Sequence, residues 1–171
     1  MNFLHVLFSF HGRINRAKYW LAALFWVVVD IVVFGVLVGM LGSHLLALGS
    51  EPSGADIVRT ILSFGLGIIL VCLLVFVPMI VSWFAVGIKR LHDRDQSGWW
   101  MVLFFFGPAV ASGLAQNSDS GAAALVLGLV SLGISIWAFV VLACLRGTRG
   151  PNRYGPDPLA GNMGMVAPSQ A

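Results

Sequence analysis

The sequence predicts an all-α protein that crosses a lipid bilayer four times. Its 171 residues are 58% hydrophobic and only 10% charged, and the mean hydropathy is +0.92. Soluble domains have about a quarter of their residues charged, and a core of this size is too small to hide so much apolar surface from water. The bilayer is therefore the expected solvent, and helices are expected because lipid offers the backbone no hydrogen-bond partners.

Four apolar segments approach the length of about 20 residues that a helix needs to cross the hydrocarbon core. The expected spans are residues 20–40, 61–88, 99–115 and 122–145, of which the third is short. We expect one four-helix membrane domain over 1–158, followed by a flexible tail of mostly small residues at 159–171.

A short helix is expected ahead of the first span. Four apolar residues recur there at helical spacing, which predicts an amphipathic helix that lies in the inner membrane interface. They are Phe3, Leu7, Phe10 and Ile14.

The basic residues indicate the orientation of the chain. Nine of the ten Lys and Arg fall in the N-terminal segment, in the loop between the second and third spans, and after the fourth span. The other two loops contain only Arg59, together with Glu51, Asp56 and Asp119. The positive-inside rule therefore predicts that both termini and the central loop are cytoplasmic in a bacterial inner membrane, and an even number of spans agrees with this prediction.

Three polar motifs lie on this predicted cytoplasmic face: "FHGRINRAKYW" at 10–20, "IKRLHDRDQSGWW" at 88–100 and "RGPNRYGPDP" at 149–158. If the second span continues as a helix into its motif, Lys89 and Arg90 come within reach of Asp93 and can neutralise it. Gly98 is expected to end that helix. The motif is then either a self-neutralised hinge or an anion-binding patch, and its density of charge exceeds what topology requires.

We interpret the three motifs as one patch that binds anionic lipid headgroups or a partner membrane protein, since each Arg near anionic lipid contributes about 1 kcal/mol. The expected binding residues are Arg13, Arg16, Arg90, His92, Asp93, Arg94, Arg149, Arg153 and Tyr154. No enzyme activity, cofactor or nucleic-acid partner is predicted. One His and two Asp among bases do not make a metal site, and His92 has no recognisable nucleophile beside it.

An alternative function rests on the first span. Asp30 lies near its middle, where an ionisable residue is costly and often marks an ion or proton path. Gly35 and Gly39 form a GxxxG step that favours close helix packing, within the chain or in a homodimer. A small transporter or channel component that uses Asp30 is therefore the competing hypothesis.

Together, the motifs resemble the bacterial inner-membrane family of domain of unknown function 805, over roughly Phe8 to Pro158. The matching positions are Gly12, Arg13, Arg16, Tyr19, Trp20, Arg90, His92, Asp93, Gly98, Trp99, Asn152, Tyr154, Gly155 and Asp157. The resemblance implies a small multi-pass inner-membrane protein. It brings no catalytic role, because that family has no established activity.

Overall fold

The computed structural model describes residues 2–47 and 53–160, and within these ranges helices joined by loops form the chain, with no strand. The helices are α1 (Phe3–Phe8), α2 (Arg16–Ala47), α3 (Gly54–Asp93), α4 (Trp100–Gln116) and α5 (Gly121–Phe139), and α5 continues into a π-helical turn, Val140–Cys144. The all-α prediction is confirmed for these residues. The predicted flexible tail at 159–171 lies outside the described residues, apart from Leu159 and Ala160.

Each predicted span coincides with a helix. Among the described residues, three helical segments are long and apolar enough to cross a membrane: Arg16–Ser43, Gly54–Asp93 and Gly121–Cys144. The fourth, α4, is apolar but has 17 residues, which rise about 26 Å against a hydrocarbon core of about 30 Å. A total of four spans and the cytoplasmic placement of both termini therefore stay predictions.

The described chain forms two compact units. The first contains residues 2–22 and 82–160, and the second contains 23–47 and 53–81. In the second unit many large apolar side chains are exposed, among them Phe34, Leu66 and Leu74. Such exposure carries little cost in a bilayer, because lipid tails are as apolar as leucine.

The first unit has two clusters of buried apolar side chains. One contains Leu91, Met101, Phe104, Val141 and Leu142, and the other contains Leu7, Ile14, Ala22 and Val86. The partly buried Tyr19 packs against both clusters. Residues from the polar motifs therefore also contribute to the core.

A helical hairpin of α4 and α5 completes the first unit. The Ser120 side chain accepts a hydrogen bond from the Ala123 N–H and so caps the start of α5. Between the two helices, Ser131 Oγ donates to the Pro108 carbonyl at 3.0 Å and lies 2.8 Å from Ser112 Oγ. These side chains give two apolar helices a polar contact at a defined register.

The short N-terminal helix forms, but the predicted apolar stripe does not act as one face. The helix ends at Phe8, so Phe10 and Ile14 lie beyond it. Leu7 and Ile14 are fully buried, whereas Phe3 and Phe10 are exposed. The stripe divides because Leu7 and Ile14 pack into the core with Val86.

Helix α3 ends at Asp93, so the prediction that Gly98 ends it is wrong. Asp95 adopts a left-handed conformation with φ 57°, and its N–H donates to the His92 carbonyl at 3.0 Å. The Gln96 N–H reaches back to the Leu91 carbonyl, also at 3.0 Å. This is a Schellman motif with Asp in the position usually taken by Gly, and Asp tolerates that conformation better than most residues.

Candidate functional site

A buried carboxylate lies at the end of α3. Asp93 Oδ2 is 2.6 Å from Arg90 Nη1, and Asp93 Oδ1 is 3.1 Å from Arg13. In both ion pairs the arginine side chain is 1% exposed and the aspartate side chain is 4% exposed. The predicted pairing of Arg90 with Asp93 is confirmed, and Arg13 joins it from 80 positions away in the sequence.

Arg13 also binds the segment that follows the fourth predicted span. Its guanidinium donates to the carbonyls of Thr148 at 2.7 Å, Gly150 at 2.8 Å and Gly155 at 3.2 Å. The planar group carries five N–H donors, so it can bind Asp93 and several carbonyls at once. Arg13 therefore joins the N-terminal segment, α3 and the C-terminal segment.

Arg90 satisfies carbonyls at the end of the π-helical turn. Its Nε donates to the Leu142 carbonyl at 2.9 Å, and Nη2 donates to the Leu145 carbonyl. The last carbonyls of a helix have no partner within the helix, and a cation there also interacts favourably with the helix dipole. Arg90 is thus a capping group for a neighbouring helix as well as a partner of Asp93.

Lys89 also donates hydrogen bonds to backbone carbonyls of another helix, in this case α1. Its ammonium group donates to the carbonyls of His5 at 3.0 Å and Val6 at 2.6 Å, and the residue is fully buried. The predicted pairing of Lys89 with Asp93 is therefore wrong. Asp93 already accepts from two arginines. The lysine instead donates to the Val6 carbonyl and to the His5 carbonyl, which also accepts the Ser9 N–H.

The C-terminal segment is held by turns and by one asparagine. Asn152 Nδ2 donates to the His92 carbonyl at 2.9 Å and to Thr148 Oγ1 at 3.0 Å. Gly150 and Gly155 have φ angles of 77° and 134°, which residues other than glycine rarely adopt. A Cβ on Gly147 would overlap the Asp93 carboxylate. Asn152 and the three glycines therefore allow the C-terminal segment to pack closely against the end of α3.

An aromatic stack lies next to this segment. The rings of His92 and Tyr154 are parallel, with centroids 3.8 Å apart. Arg153 lies over Tyr154 at 4.9 Å and pairs with Asp95 at 3.1 Å. This second pair is 60% and 46% exposed, so it contributes much less stability than a buried pair.

Exposed arginines line a groove of about 360 Å³ beside the buried ion pairs. Arg16, Arg146 and Arg149 are exposed and form no ion pair with a described residue. The two carboxylates at the groove are Asp93 and Asp157. Asp157 accepts the N–H groups of Leu159 and Gly150, both at 2.9 Å, and these bonds lower the pKa of its carboxyl group. Both carboxylates are thus engaged by the fold, and the three arginines are available.

The nine predicted binding residues therefore divide by burial. Arg13, Arg90 and Asp93 are buried, and Arg16, Arg149 and Arg153 are exposed. The remaining three, His92, Arg94 and Tyr154, are half-buried. His92 Nδ1 and Arg94 Nη1 are buried nitrogen atoms without a hydrogen-bond partner among the described residues.

The predicted binding residues do not include Arg146 or Thr148, and the anchoring role of Lys89 was not predicted. Arg146 and Thr148 belong to the run "RGTRG", and the spacing of Arg146 and Arg149 on either side of Gly147 was the available signal. Within the described ranges, no three His, Cys, Asp or Glu side chains come together as metal ligands.

The residues of the alternative hypothesis lie in the second unit. Asp30 is exposed on α2. A Cβ on Gly35 or Gly39 would meet no described atom within 4 Å. These residues do not belong to the site formed by the three motifs.

These observations define a helical membrane protein whose polar motifs assemble around a buried aspartate. The chain belongs to the family described as "Protein of unknown function (DUF805)", which it matches over residues 7–156. The match confirms the family resemblance of the motifs.

Relatives support an inner-membrane protein. The chain is 31% identical over 151 residues to "Inner membrane protein YhaH" of Escherichia coli strain K12, covering 88% of this chain and 87% of the relative. It is 29% identical over 154 residues to "Inner membrane protein YhaI" of the same strain, covering 90% and 89%. It is 32% identical over 160 residues to "Uncharacterized protein YiiR", covering 88% and 86%. No solved structure matches the chain.

Proposed function

We propose that this chain is a non-enzymatic module of the inner membrane that binds anionic lipid on its cytoplasmic face. One observation carries the proposal, namely that the arginines of the motifs divide into two sets. Arg13 and Arg90 are used within the protein, on Asp93 and on backbone carbonyls. Arg16, Arg146 and Arg149 are held close to this buried frame, yet no described residue pairs with them.

Exposed cations that the fold does not use are available to bind an anion. The buried frame fixes the backbone that carries them, and such preorganisation lowers the entropy lost on binding. Each arginine near an anionic membrane surface contributes about 1 kcal/mol. Three such residues give a preference for anionic over neutral lipid that is large enough to measure.

Lipid is favoured over a partner protein by the aromatic residues of the same unit. Trp20, Trp99 and Trp100 are all exposed, and Trp99 is 80% exposed. Tryptophan is enriched at the level of lipid headgroups. Trp20 lies one helical turn from Arg16, so that arginine is expected at headgroup depth.

The proposal is tested by measuring which lipids surround the purified protein. In nanodiscs, energy transfer from the protein's tryptophans to dansyl-labelled phosphatidylglycerol should exceed transfer to dansyl-labelled phosphatidylcholine. The variant Arg16→Gln/Arg146→Gln/Arg149→Gln should lose this difference. Arg59→Gln is the matched control, since Arg59 is an exposed arginine near the other end of α3. Equal transfer to both lipids in the wild type would refute the proposal.

A second candidate function is a small transporter or channel component, and it rests on Asp30. This carboxylate is exposed on a membrane-length helix, and ionisable groups at such depth commonly line ion or proton paths. Gly35 and Gly39 leave room for the second copy that a complete path would need. Proton flux into liposomes should then disappear with Asp30→Asn, and flux that survives this change would exclude the candidate.

A further inference from the structure

We propose that the groove lined by Asn15, Arg16, Arg146, Thr148, Arg149 and Asp157 holds a single lipid headgroup that carries more than one negative charge. The inference rests on the proposed function, and it adds a defined site and a class of headgroup to a general preference for anionic lipid. Its ligand is a phosphate monoester, as in phosphatidic acid, or a pair of phosphodiesters, as in cardiolipin.

The charge around the groove is strongly positive. Three arginines line it, and the buried frame of Arg13, Arg90 and Asp93 adds one further positive charge. Asp157 is the remaining acidic residue at the groove, and its oxygens accept backbone N–H groups. A headgroup with one negative charge would leave most of this positive charge unbalanced, with arginines close to one another. A headgroup with two negative charges offsets most of the excess positive charge.

The hydrogen-bond donors at the groove are of the kind that binds phosphate. Arginine offers a planar fork of N–H groups that matches the oxygens of a phosphate, which makes it the preferred residue for such recognition. The groove also lies where α2 begins, at Asn15 and Arg16. The first N–H groups of a helix carry partial positive charge and favour an anion.

The groove also has a size and a position that suit a lipid headgroup. Its volume of about 360 Å³ is near the lower limit of small-molecule sites, so it suits a headgroup and leaves the acyl chains outside. One wall comes from the start of the first predicted span, and the other comes from the segment after the fourth. Both walls therefore lie next to apolar helices, where a lipid can place its chains.

The experiment compares doubly charged headgroups with the singly charged headgroup of phosphatidylglycerol. Protein in nanodiscs of phosphatidylcholine and phosphatidylglycerol is titrated with phosphatidic acid or cardiolipin, and native mass spectrometry counts the lipids retained. Wild-type protein should retain the doubly charged lipids in preference to phosphatidylglycerol. Arg146→Gln/Arg149→Gln should reduce the retention of these lipids relative to phosphatidylcholine about thirtyfold, the product of two contributions of the size of one arginine at an anionic membrane, and should lower their preference over phosphatidylglycerol.

Two controls separate the groove from the general surface. Arg59→Gln removes an exposed arginine near the other end of α3 that does not line the groove, and it should leave the preference unchanged. Arg146→Lys/Arg149→Lys keeps the charge and should keep part of the preference. The variants at Arg146 and Arg149 should unfold at the wild-type temperature, since these residues form no ion pair with a described residue.

The outcomes distinguish this inference from the proposed function. Enrichment of phosphatidylglycerol over phosphatidylcholine with no further preference for doubly charged lipids would overturn the groove and leave the proposed function standing. Equal retention of all lipids would overturn both. Displacement of bound lipid by low concentrations of inorganic diphosphate would identify a soluble anion as the ligand and would overturn the assignment to lipid.

Discussion

Replacing Asp93 by asparagine should be among the most destabilising single changes in the protein. The new side chain would keep the shape of the aspartate but remove the negative charge that balances Arg13 and Arg90 at their buried ion pairs. Both guanidinium groups would still bind their backbone carbonyls, yet two buried cations would face each other without an anion between them.

The size of the effect follows from the burial of these groups. Removing one partner of a buried ion pair costs about 3–5 kcal/mol, because an uncompensated charge stays in the interior. Asp93 and both arginines are 4% exposed or less at the side chain, so water screens them little. Asp95→Asn is the matched control two residues away, since its pair with Arg153 is 46% exposed on the aspartate and 60% on the arginine, and it should cost about 0–1 kcal/mol.

The assay is reversible unfolding in mixtures of detergent and dodecyl sulfate, followed by tryptophan fluorescence. Asp93→Asn should shift the midpoint to a much lower fraction of dodecyl sulfate than Asp95→Asn does. Limited proteolysis should show that residues 146–158 become cleavable, because Arg13 holds this segment beside Asp93. Equal effects of the two substitutions would refute the view that the buried aspartate organises the site.

Three further predictions concern the same unit. Lys89→Met should remove the ammonium donor from the carbonyls of Val6 and His5, of which only His5 keeps the Ser9 N–H, at a cost of about 1–3 kcal/mol. Faster hydrogen exchange in α1 should show this loss, and unchanged exchange there would contradict the anchoring role. Gly147→Ala should destabilise the protein, because the new Cβ overlaps the Asp93 carboxylate. Gly128→Ala is the control, since its Cβ enters open space and should have no such effect. Similar melting temperatures for the two variants would be evidence against the packing of Gly147 on Asp93. Hydrogen bonds from the Leu159 and Gly150 N–H groups lower the pKa of Asp157. The Asp157 carboxylate therefore contributes its full stabilisation at pH values above the ordinary pKa of an aspartate. This stabilisation is lost as the pH falls through the lowered pKa. The Gly150 amide resonance should report a titration with a midpoint below about pH 3.9, the ordinary pKa of an aspartate, and a midpoint at or above that value would contradict these bonds.

The helices could be predicted from the sequence because their signal is local. An apolar run of sufficient length has few alternatives to a helix in lipid, and all four predicted spans coincide with α2 to α5. The pair of Arg90 and Asp93 was predictable for the same reason, since three positions on a helix bring side chains together. The end of α3 was not predictable in this way, because the residue in the left-handed conformation that usually ends a helix is Asp95 and not a glycine.

The division of the site into buried and exposed arginines depends on contacts between distant segments. Arg13 and Arg16 are three positions apart in one motif, yet Arg13 is buried against Asp93 and Arg16 is exposed at the groove. Nothing local separates them, because the partners of Arg13 lie 80 to 142 positions away. Lys89 likewise has a carboxylate within one helical turn but binds carbonyls of α1, which only the packed chain brings near.

The most direct test of the central claim is to extract the protein from native membranes with a polymer and identify the lipids and proteins that come with it. Wild type, the Arg16→Gln/Arg146→Gln/Arg149→Gln variant and the Arg59→Gln control would be compared at matched expression. We expect anionic lipid to be enriched with the wild type and the control and to fall to the membrane average with the triple variant. Identical lipid profiles for all three, or the loss of a bound protein in place of lipid, would contradict the account.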